Sequence, residues 1–344
     1  MRGFRGGACF SLPVLLFLTA SSYAATPITA VAFSPDGKTL VSGGQKQLLL
    51  WDSATGKLTR RIGPLGGAVR GLAFTKDGAT LAVAEGVPGR SGAVSLIELA
   101  SGQVTTLEKS PDEMLAVAFS PDGKLLATGG TNQTVEVWRV AERQLAATLK
   151  THAGWITGVA FSPDGKVLAS SSLDQRVKIW DTADWSEKLE LPQNPNGAVN
   201  GVAYSPEGDL LAFAVAGAEE RALRTWRAQN AFEELDPARR NVRVQTRPFD
   251  TGTCVPLAVA FLASVPAGQS RMLAACSDRN VRIMNRNGGV LATLAGAADW
   301  MYAVTGSTDG KLVAGASGDG AVRLWNAAGK LLFTLREETA EGTK

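Results

Sequence analysis

Short apolar runs alternate with turn-forming residues along almost the whole chain. A typical unit begins with the apolar and β-branched run Ile156 to Phe161, which is followed by the turn sequence Ser-Pro-Asp-Gly. Proline fits the first corner of such a turn, and glycine accepts the positive φ that follows. Two further apolar runs, Val167 to Ser170 and Val177 to Trp180, are separated by a polar turn. Each unit therefore predicts an antiparallel meander of three strands, with a fourth strand at Lys188 to Leu191.

This pattern recurs seven times along the chain. The turn motif, intact or loosened, starts in six copies at Phe33, Phe74, Phe119, Phe161, Tyr204 and Gly306. In the remaining copy, near Phe261, the stretch Leu262 to Ser270 replaces the tight turn. The third runs end 41 to 58 residues apart, at Trp51, Ile97, Trp138, Trp180, Trp226, Met284 and Trp325. Such periods suit one four-stranded blade per copy.

Two of the third runs end in the dipeptides Trp51-Asp52 and Trp180-Asp181, and the sequence resembles the WD-repeat family at these residues. The resemblance covers Ile28 to Glu337 and implies an all-β fold, a seven-bladed β-propeller of four-stranded antiparallel blades. The last blade has a fourth strand of its own, Lys330 to Leu335, and the first strand begins at Ile28. We therefore predict a ring closed without strand exchange, whose first and last blades meet face to face with no cross-strand hydrogen bonds between the ends.

The predicted domain organisation has three parts. Residues 1–24 have the features of a secretory signal peptide, with Arg2 and Arg5 before the apolar stretch Ala8 to Ala20 and a small residue, Ala24, at the cleavage point. An uncleaved N-terminal anchor or a buried first strand is the alternative. Residues 25–337 form the propeller, and residues 338–344 form a disordered tail. The predicted blades cover about residues 28–64, 65–109, 110–150, 151–192, 193–250, 251–295 and 296–337.

Composition and charge narrow the classes of partner and the location. With 45% apolar and 19% charged residues, the chain is too apolar for disorder and can bury a large core. Loss of the two arginines of the signal peptide lowers the net charge from +3 to +1. A near-neutral surface disfavours nucleic acid as a partner, because that binding depends on clustered positive charge. We expect an exported bacterial protein, periplasmic or secreted, that forms a monomeric ring with no membrane span after signal removal.

In WD-repeat proteins a His, a Ser or Thr, an Asp and the Trp form a hydrogen-bonded set within a blade. The resemblance implies one complete set, in the fourth blade. Its members are His152, a hydroxyl from Ser170 or Ser172, Asp174 and Trp180. The other blades hold only part of this set, so they must depend mainly on apolar packing between their sheets.

Candidate catalytic residues are scarce. His152 is the only histidine, so a Ser-His-Asp triad or a histidine-rich metal cage could be built only around it. Its place in the repeat favours a structural role, and we predict no catalytic residue, bound metal or cofactor. A propeller hydrolase or lactonase-like enzyme with a site at the channel mouth is the alternative function. A sensor domain that works beside a partner such as an electron-transfer protein is a third candidate.

Two surfaces are candidates for partner binding. Trp155 and Trp300 share one repeat position, and Tyr302 follows the second of them. Aromatic side chains at a rim can anchor an interface, or they can cap the core of their own blade. The second surface is a basic loop between the fifth and sixth blades, with Arg239, Arg240, Arg243 and Arg247. This loop could dock an acidic partner or remain a solvated insertion.

Two cysteines remain after signal removal, Cys254 and Cys276, and both fall in the sixth blade. Antiparallel pairing could bring them opposite each other, as a disulfide in an oxidising compartment or as two buried thiols. The whole pattern favours a non-enzymatic scaffold of the cell envelope or exterior that binds a protein or peptide at a propeller rim.

Overall fold

A computed structural model describes residues 26–150, 152–191, 197–217, 221–228, 247–250, 254–263 and 268–337. These residues form seven four-stranded antiparallel sheets, and each sheet consists of four consecutive strands. The predicted fold class, a seven-bladed propeller closed without strand exchange, is confirmed. No helix in the described ranges has the length and hydropathy to cross a membrane. The predicted signal peptide and C-terminal tail lie outside the described residues.

The blades are numbered one to seven in chain order. Blade one consists of β1 (Ala30–Phe33), β2 (Thr39–Gly43), β3 (Leu48–Asp52) and β4 (Leu58–Ile62), and blade two of β5 (Ala68–Phe74), β6 (Thr80–Val87), β7 (Ser91–Glu98) and β8 (Val104–Ser110). Blade three consists of β9 (Met114–Phe119), β10 (Leu125–Gly130), β11 (Val135–Arg139) and β12 (Gln144–Leu149), and blade four of β13 (Ile156–Phe161), β14 (Val167–Ser172), β15 (Val177–Asp181) and β16 (Glu187–Leu191). Blade five consists of β17 (Gly197–Tyr204), β18 (Leu210–Gly217), β19 (Arg221–Arg227) and β20 (Arg247–Asp250). Blade six consists of β21 (Pro256–Leu262), β22 (Arg271–Cys276), β23 (Val281–Met284) and β24 (Val290–Leu294). Blade seven consists of β25 (Met301–Gly306), β26 (Leu312–Ser317), β27 (Ala321–Asn326) and β28 (Leu331–Arg336).

The first strand of each blade contacts the first strands of its two neighbours, in a closed circle. The apolar core is therefore divided among the junctions between blades, and each of the seven junctions has its own buried cluster. Second strands are covered on both faces; all six residues of β14 are buried. Fourth strands are partly exposed, and β16 exposes its first two residues. This order explains why the second runs read as continuous apolar segments.

The Ser-Pro-Asp-Gly turns are held by their own side chains. In blade four the hydroxyl of Ser162 donates to Asp164 at 2.6 Å and accepts from the amide of Val167 at 3.1 Å. Gly165 has a φ of 72°, which a glycine adopts without steric cost. Local hydrogen bonds thus explain why the same short motif ends the innermost strand in blade after blade.

The ring closes where blade seven meets blade one. Phe33 and Val322 lie in one buried apolar cluster there, and Thr308 donates to the carbonyl of Pro35 at 2.7 Å. The amide of Ile28 also donates to the carbonyl of Ser317 at 3.2 Å. No strand pairing joins the ends among the described residues, as predicted, because Ile28 precedes β1 and blades one and seven form separate sheets. The segment before β1 runs beside the end of β26, whose last carbonyl needs a donor when it is removed from water.

Candidate functional site

The His152 side chain is fully buried at the start of blade four. Its Nδ1 lies 2.8 Å from Oδ2 of Asp174, and its Nε2 lies 2.8 Å from Oγ of Ser170. Nε1 of Trp180 donates to the same Oγ at 2.9 Å. A ring that carries its hydrogen on Nδ1 satisfies all three contacts, because Ser170 then accepts from Trp180 and donates to His152. Ser172 stays outside this set, and its hydroxyl accepts from the amide of Asp174 at 3.1 Å.

Ser170, His152 and Asp174 have the residue types and contacts of a nucleophilic triad, but they do not form a reaction site. Ser170 is 0% exposed, so no substrate can reach its hydroxyl. Burial acts to raise the pKa of Asp174, but hydrogen bonds from His152 and the amide of Ala153 outweigh it, and the pKa is lowered. The set therefore holds blade four together in the way that the family resemblance implies.

Blades six and seven use arginine where blade four uses histidine. In blade seven Asp319 stands at the position of Asp174, and its carboxylate accepts two hydrogen bonds from Arg323, at 2.6 and 3.1 Å. Both side chains are buried. In blade six Asp278 and Arg282 repeat the arrangement at 2.6 and 3.1 Å. A bidentate guanidinium can satisfy the aspartate without any histidine.

Blade three instead receives a carboxyl group from blade two. Glu108, in β8, is 8% exposed and accepts a hydrogen bond at 2.9 Å from Thr128, which stands at the position of Ser170. Burial and the nearby Glu136 carboxylate raise the pKa of Glu108 to about 7. This contact was not predicted from the sequence, because Glu108 belongs to the preceding blade.

A β-bulge recurs in the innermost strand of six blades. At each bulge the pairing of the first and second strands skips one residue, and the skipped residues are Arg70, Leu115, Thr157, Asn200, Leu257 and Tyr302. A bulge leaves the extra residue out of the ladder and re-aims its side chain. The six residues lie near the beginning of the innermost strands, at the end of the ring that we call the channel mouth.

Polar side chains at these bulges bond the following blade. The contacts are Arg70 to the Glu113 carboxylate at 2.7 Å, Thr157 to the Val199 carbonyl at 2.5 Å, and Asn200 to the Pro256 carbonyl at 3.0 Å. The bulges therefore connect neighbouring innermost strands and also place polar atoms around the channel mouth.

Trp155 and Trp300 lie two residues before the bulges of blades four and seven. Their carbonyls accept equivalent hydrogen bonds, each 3.0 Å long, from the amides of Leu173 and Gly318. Both side chains are half-buried. The Trp300 and Tyr302 rings meet edge to face, with centroids 6.5 Å apart. Since two blades separate the tryptophans on one side and three on the other, they lie on nearly opposite sides of the channel mouth.

The channel mouth near Tyr302 carries charges of both signs. Burial and the Asp299 carboxylate raise the pKa of Tyr302, and the Arg70 guanidinium of blade two opposes them. Glu85, in β6 of blade two, is buried and accepts a hydrogen bond from the amide of Gly67 at 3.1 Å, and its burial raises its pKa. Aromatic rings, hydroxyl groups and charges of both signs therefore lie near the start of the innermost strands.

The predicted basic loop is not part of this site. Arg239, Arg240 and Arg243 lie outside the described residues. Arg247 begins β20, but its side chain also lies outside the description. Docking through this loop stays a prediction.

Cys254 and Cys276 form a disulfide. Cys276 pairs with Pro256 across the strands, which brings Cys254 beside it, and both residues are fully buried. Asp278 completes a group of three residues whose types can ligate metals. Metal binding requires thiolates, and two sulfurs bonded to each other supply none. The disulfide therefore acts as a cross-link in the blade that has lost its compact turn.

Sequence-based reasoning also missed Glu207, which stands where intact turns have aspartate. Its carboxylate reaches blade six and accepts hydrogen bonds from the amide of Gly268 at 3.0 Å and the hydroxyl of Ser270 at 2.6 Å. Arg286 of blade six pairs with both Glu207 and Asp209 of blade five. The sequence did carry a signal for this contact. Blade five has glutamate instead of aspartate in its turn, and the turn of the next blade is replaced by the longer stretch Leu262 to Ser270.

Comparison with known proteins gives a match to the family model described as WD domain, G-beta repeat, over residues 16–52, 101–139, 143–181 and 288–326. The segment 143–181 runs from β12 of blade three to β15 of blade four. The sequence repeat is therefore offset by one strand from the structural blade.

Two curated proteins illustrate the similarity. WD repeat-containing protein SL1-17 of Schistosoma mansoni is 32% identical over 116 residues, which are 33% of this chain and 37% of that protein. An uncharacterised WD repeat-containing protein of Synechocystis, sll1491, is 32% identical over 130 residues, which are 37% of this chain and 36% of that protein. The matched region thus spans little more than a third of the length of either relative.

Proposed function

We propose that this chain, which is a WD-repeat β-propeller, is a non-enzymatic interaction platform that binds a protein or peptide at its channel mouth. WD-repeat propellers typically act as scaffolds that bind protein partners. Because a fold does not by itself decide a function, the proposal depends on the residues of the site.

The observation that carries the proposal is the placement of Trp155 and Trp300. Both residues make equivalent backbone hydrogen bonds at the start of the innermost strands, and each is only partly buried, so part of its surface is accessible to a partner. Large aromatic side chains of this kind dominate the free energy of many protein interfaces. Polar groups of Arg70, Thr157 and Asn200 surround the opening between them.

The geometry also indicates the shape of the partner. Trp155 and Trp300 lie across the channel mouth from each other, so one partner contacts both only if it projects over the opening. A protein surface or loop that bridges the mouth meets this condition, and a small molecule bound beside one tryptophan does not. Tyr302 would add a ring and a hydroxyl on the Trp300 side.

The proposed location is the cell envelope or the exterior. Two observations support it, the signal-peptide features of residues 1–24 and the Cys254–Cys276 disulfide, since disulfides persist mainly in oxidising compartments. Mass spectrometry of the protein from the exported fraction should find a mature N-terminus at Ala25. A full-length chain confined to the cytosol would contradict this location.

The binding surface is tested with two pairs of substitutions. The protein first captures its partner from the exported fraction, and the affinity of the purified partner is then measured. Trp155→Ala with Trp300→Ala should weaken binding by about a hundredfold, since truncation of an aromatic anchor often costs about 1 to 2 kcal/mol or more. The control pair, Val104→Ala with Leu145→Ala, removes exposed apolar side chains from outer strands and should change the affinity less than about twofold. Wild-type affinity in the tryptophan pair would overturn the proposal.

A further inference from the structure

A groove of about 840 Å³ lies between blades six and seven, at the rim opposite the channel mouth. Its walls come from Ala263 and residues 269–271 of blade six, the turn between β23 and β24, and the turn between β25 and β26. Its size is within the range of sites that bind small ligands or short peptide segments.

Contacts from blade five hold one wall of the groove in place. Glu207 bonds the amides of Gly268 and Ser270, at 3.0 and 3.2 Å, and the hydroxyl of Ser270 at 2.6 Å. Ser270 is fully buried and lines the groove. A wall that is fixed before binding loses little conformational freedom when a ligand arrives.

Three cationic side chains line the groove, and they differ in how far their charge is balanced. Arg286 pairs with two carboxylates of blade five, and Lys311 lies 3.1 Å from Asp309. Arg271 donates from Nη1 to the carbonyl of Ala327 at 2.9 Å, and no carboxylate of a described residue lies within 4.0 Å of it. A guanidinium has five donors in a planar fork, so Arg271 keeps donors for a carboxylate from outside the chain.

An exposed apolar edge adjoins this cation. Leu291, which lines the groove, is 55% exposed, and its neighbour Val290 is 49% exposed. Their strand, β24, has no charged residue, whereas the outer strand of blade four has three, Glu187, Lys188 and Glu190. Charged side chains normally protect an edge strand from unwanted pairing, and β24 lacks them.

We propose that this groove binds a linear acidic peptide segment of a second partner protein. A carboxylate of the segment pairs with Arg271, and a neighbouring apolar side chain packs on Leu291. The volume of the groove and its apolar edge favour a peptide over a small free anion, which would use the guanidinium alone. This site is separate from the channel mouth and does not depend on the function proposed there.

The test selects peptides from a display library of random octapeptides on the full chain carrying Trp155→Ala and Trp300→Ala, so that channel-mouth binding does not contribute. The selected peptides should be enriched in Asp or Glu next to Leu, Ile or Phe. Selection on the same chain with Arg271→Gln should remove the acidic enrichment. No enrichment, or the same enrichment with Arg271→Gln, would overturn the proposal.

One selected peptide is then synthesised with its acidic residues kept or changed to amides, and its affinity for the full chain is measured. The amide peptide, Arg271→Gln and Leu291→Ser should each weaken binding by about tenfold. Arg139→Gln and Leu145→Ser alter exposed residues of blade three and should leave the affinity unchanged. Leu291 is exposed, so Leu291→Ser keeps the fold. This variant therefore still tests the groove if Arg271→Gln destabilises the protein. Equal binding of both peptides, or displacement of the acidic peptide by equimolar inorganic phosphate, would contradict a peptide site.

Discussion

The polar sets of blades three and four occupy the same place in adjacent sheets, but their chemistry is opposite. In blade four the Asp174 carboxylate accepts from His152, and its pKa is lowered even though it is partly buried. In blade three Glu136 lies beside the buried Glu108 of blade two, and the pKa of Glu108 is raised to about 7. The first arrangement stabilises an ionised carboxylate, and the second stabilises a protonated one.

The two junctions therefore depend on pH in opposite directions. The folded state gains stability from Asp174 above its ordinary pKa of 3.8, and it loses this gain as the pH falls through the lowered value. Glu108 has its full contribution below its ordinary pKa of 4.5 and loses it as the pH rises towards 7. Ser170 and Thr128 occupy the same repeat position, but the residues that bond them, His152 and Glu108, differ in chemistry. The pH dependence therefore follows from the residue supplied by the preceding segment and not from the repeat position itself.

The largest expected effect is that of His152→Ala. The substitution removes the His152 hydrogen bonds of Ser170 and Asp174 and opens a cavity beside Trp180, so it should lower the free energy of unfolding by about 3 kcal/mol. Urea denaturation at pH 7 measures this change. Ser172→Ala removes a buried hydroxyl outside the set and should cost about 1 kcal/mol. Equal losses of stability for His152→Ala and Ser172→Ala would contradict the conclusion that the hydrogen-bonded set stabilises blade four more than a neighbouring buried hydroxyl does.

Glu108→Gln tests the other side of the comparison. The amide cannot ionise, so the variant should be more stable than the wild type by about 2 to 3 kcal/mol at pH 8, with no difference at pH 4. Urea denaturation across this pH range gives the profile. Glu98→Gln changes an exposed glutamate of the same blade and should give a flat difference. A gain of equal size at both pH values would show that charge is not the cause.

Asp174→Asn should show the opposite pH profile with a smaller amplitude. At pH 7 the variant loses the charged acceptor of His152, and its free energy of unfolding should fall by about 1 to 2 kcal/mol. The difference from the wild type should shrink as the pH falls below 3.8, where the wild-type carboxyl loses its advantage. Thermal unfolding measured from pH 3 to pH 7 checks both parts. A difference that grows at low pH would contradict the sign.

Tyr204→Phe is expected to have the smallest effect and extends the comparison to blade five. The Tyr204 hydroxyl is buried and has no hydrogen-bond partner among the described residues, and burial raises its pKa. Phe33, Phe119 and Phe161 stand at the same repeat position. Removal of an unpaired buried hydroxyl should leave stability unchanged or raise it by up to about 1 kcal/mol. A loss above about 1 kcal/mol would reveal a contact that the structure does not show.

The fold was predictable because its signals are local. The Ser162–Asp164 turn is formed by residues that are close in the sequence. A tryptophan near the end of the third strand marks five of the seven blades. The residues of the polar sets were harder to predict. Arg70 and its partner Glu113 are 43 residues apart on different blades, and no local period connects them. Glu108 and Thr128 lie across a junction in the same way, 20 residues apart.

The backbone contact at the closure was hard to predict for a similar reason. The sequence shows where β1 begins, but it does not show that the residues before β1 lie beside β26. Ile28 finds the Ser317 carbonyl only after the ring has closed. Contacts of this type depend on the arrangement of blades around the channel, so they appear only when the whole ring is present.

Hydrogen exchange of the full chain, free and bound to its captured partner, tests the channel-mouth account most directly. The bulge residues Thr157 and Tyr302 lie outside the strand ladders, so their amides can report a partner that covers them. The account predicts slower exchange at residues 155–157 and 300–302 in the complex, with no change in β12. Slower exchange confined to outer strands such as β12, with no change at the channel mouth, would contradict it.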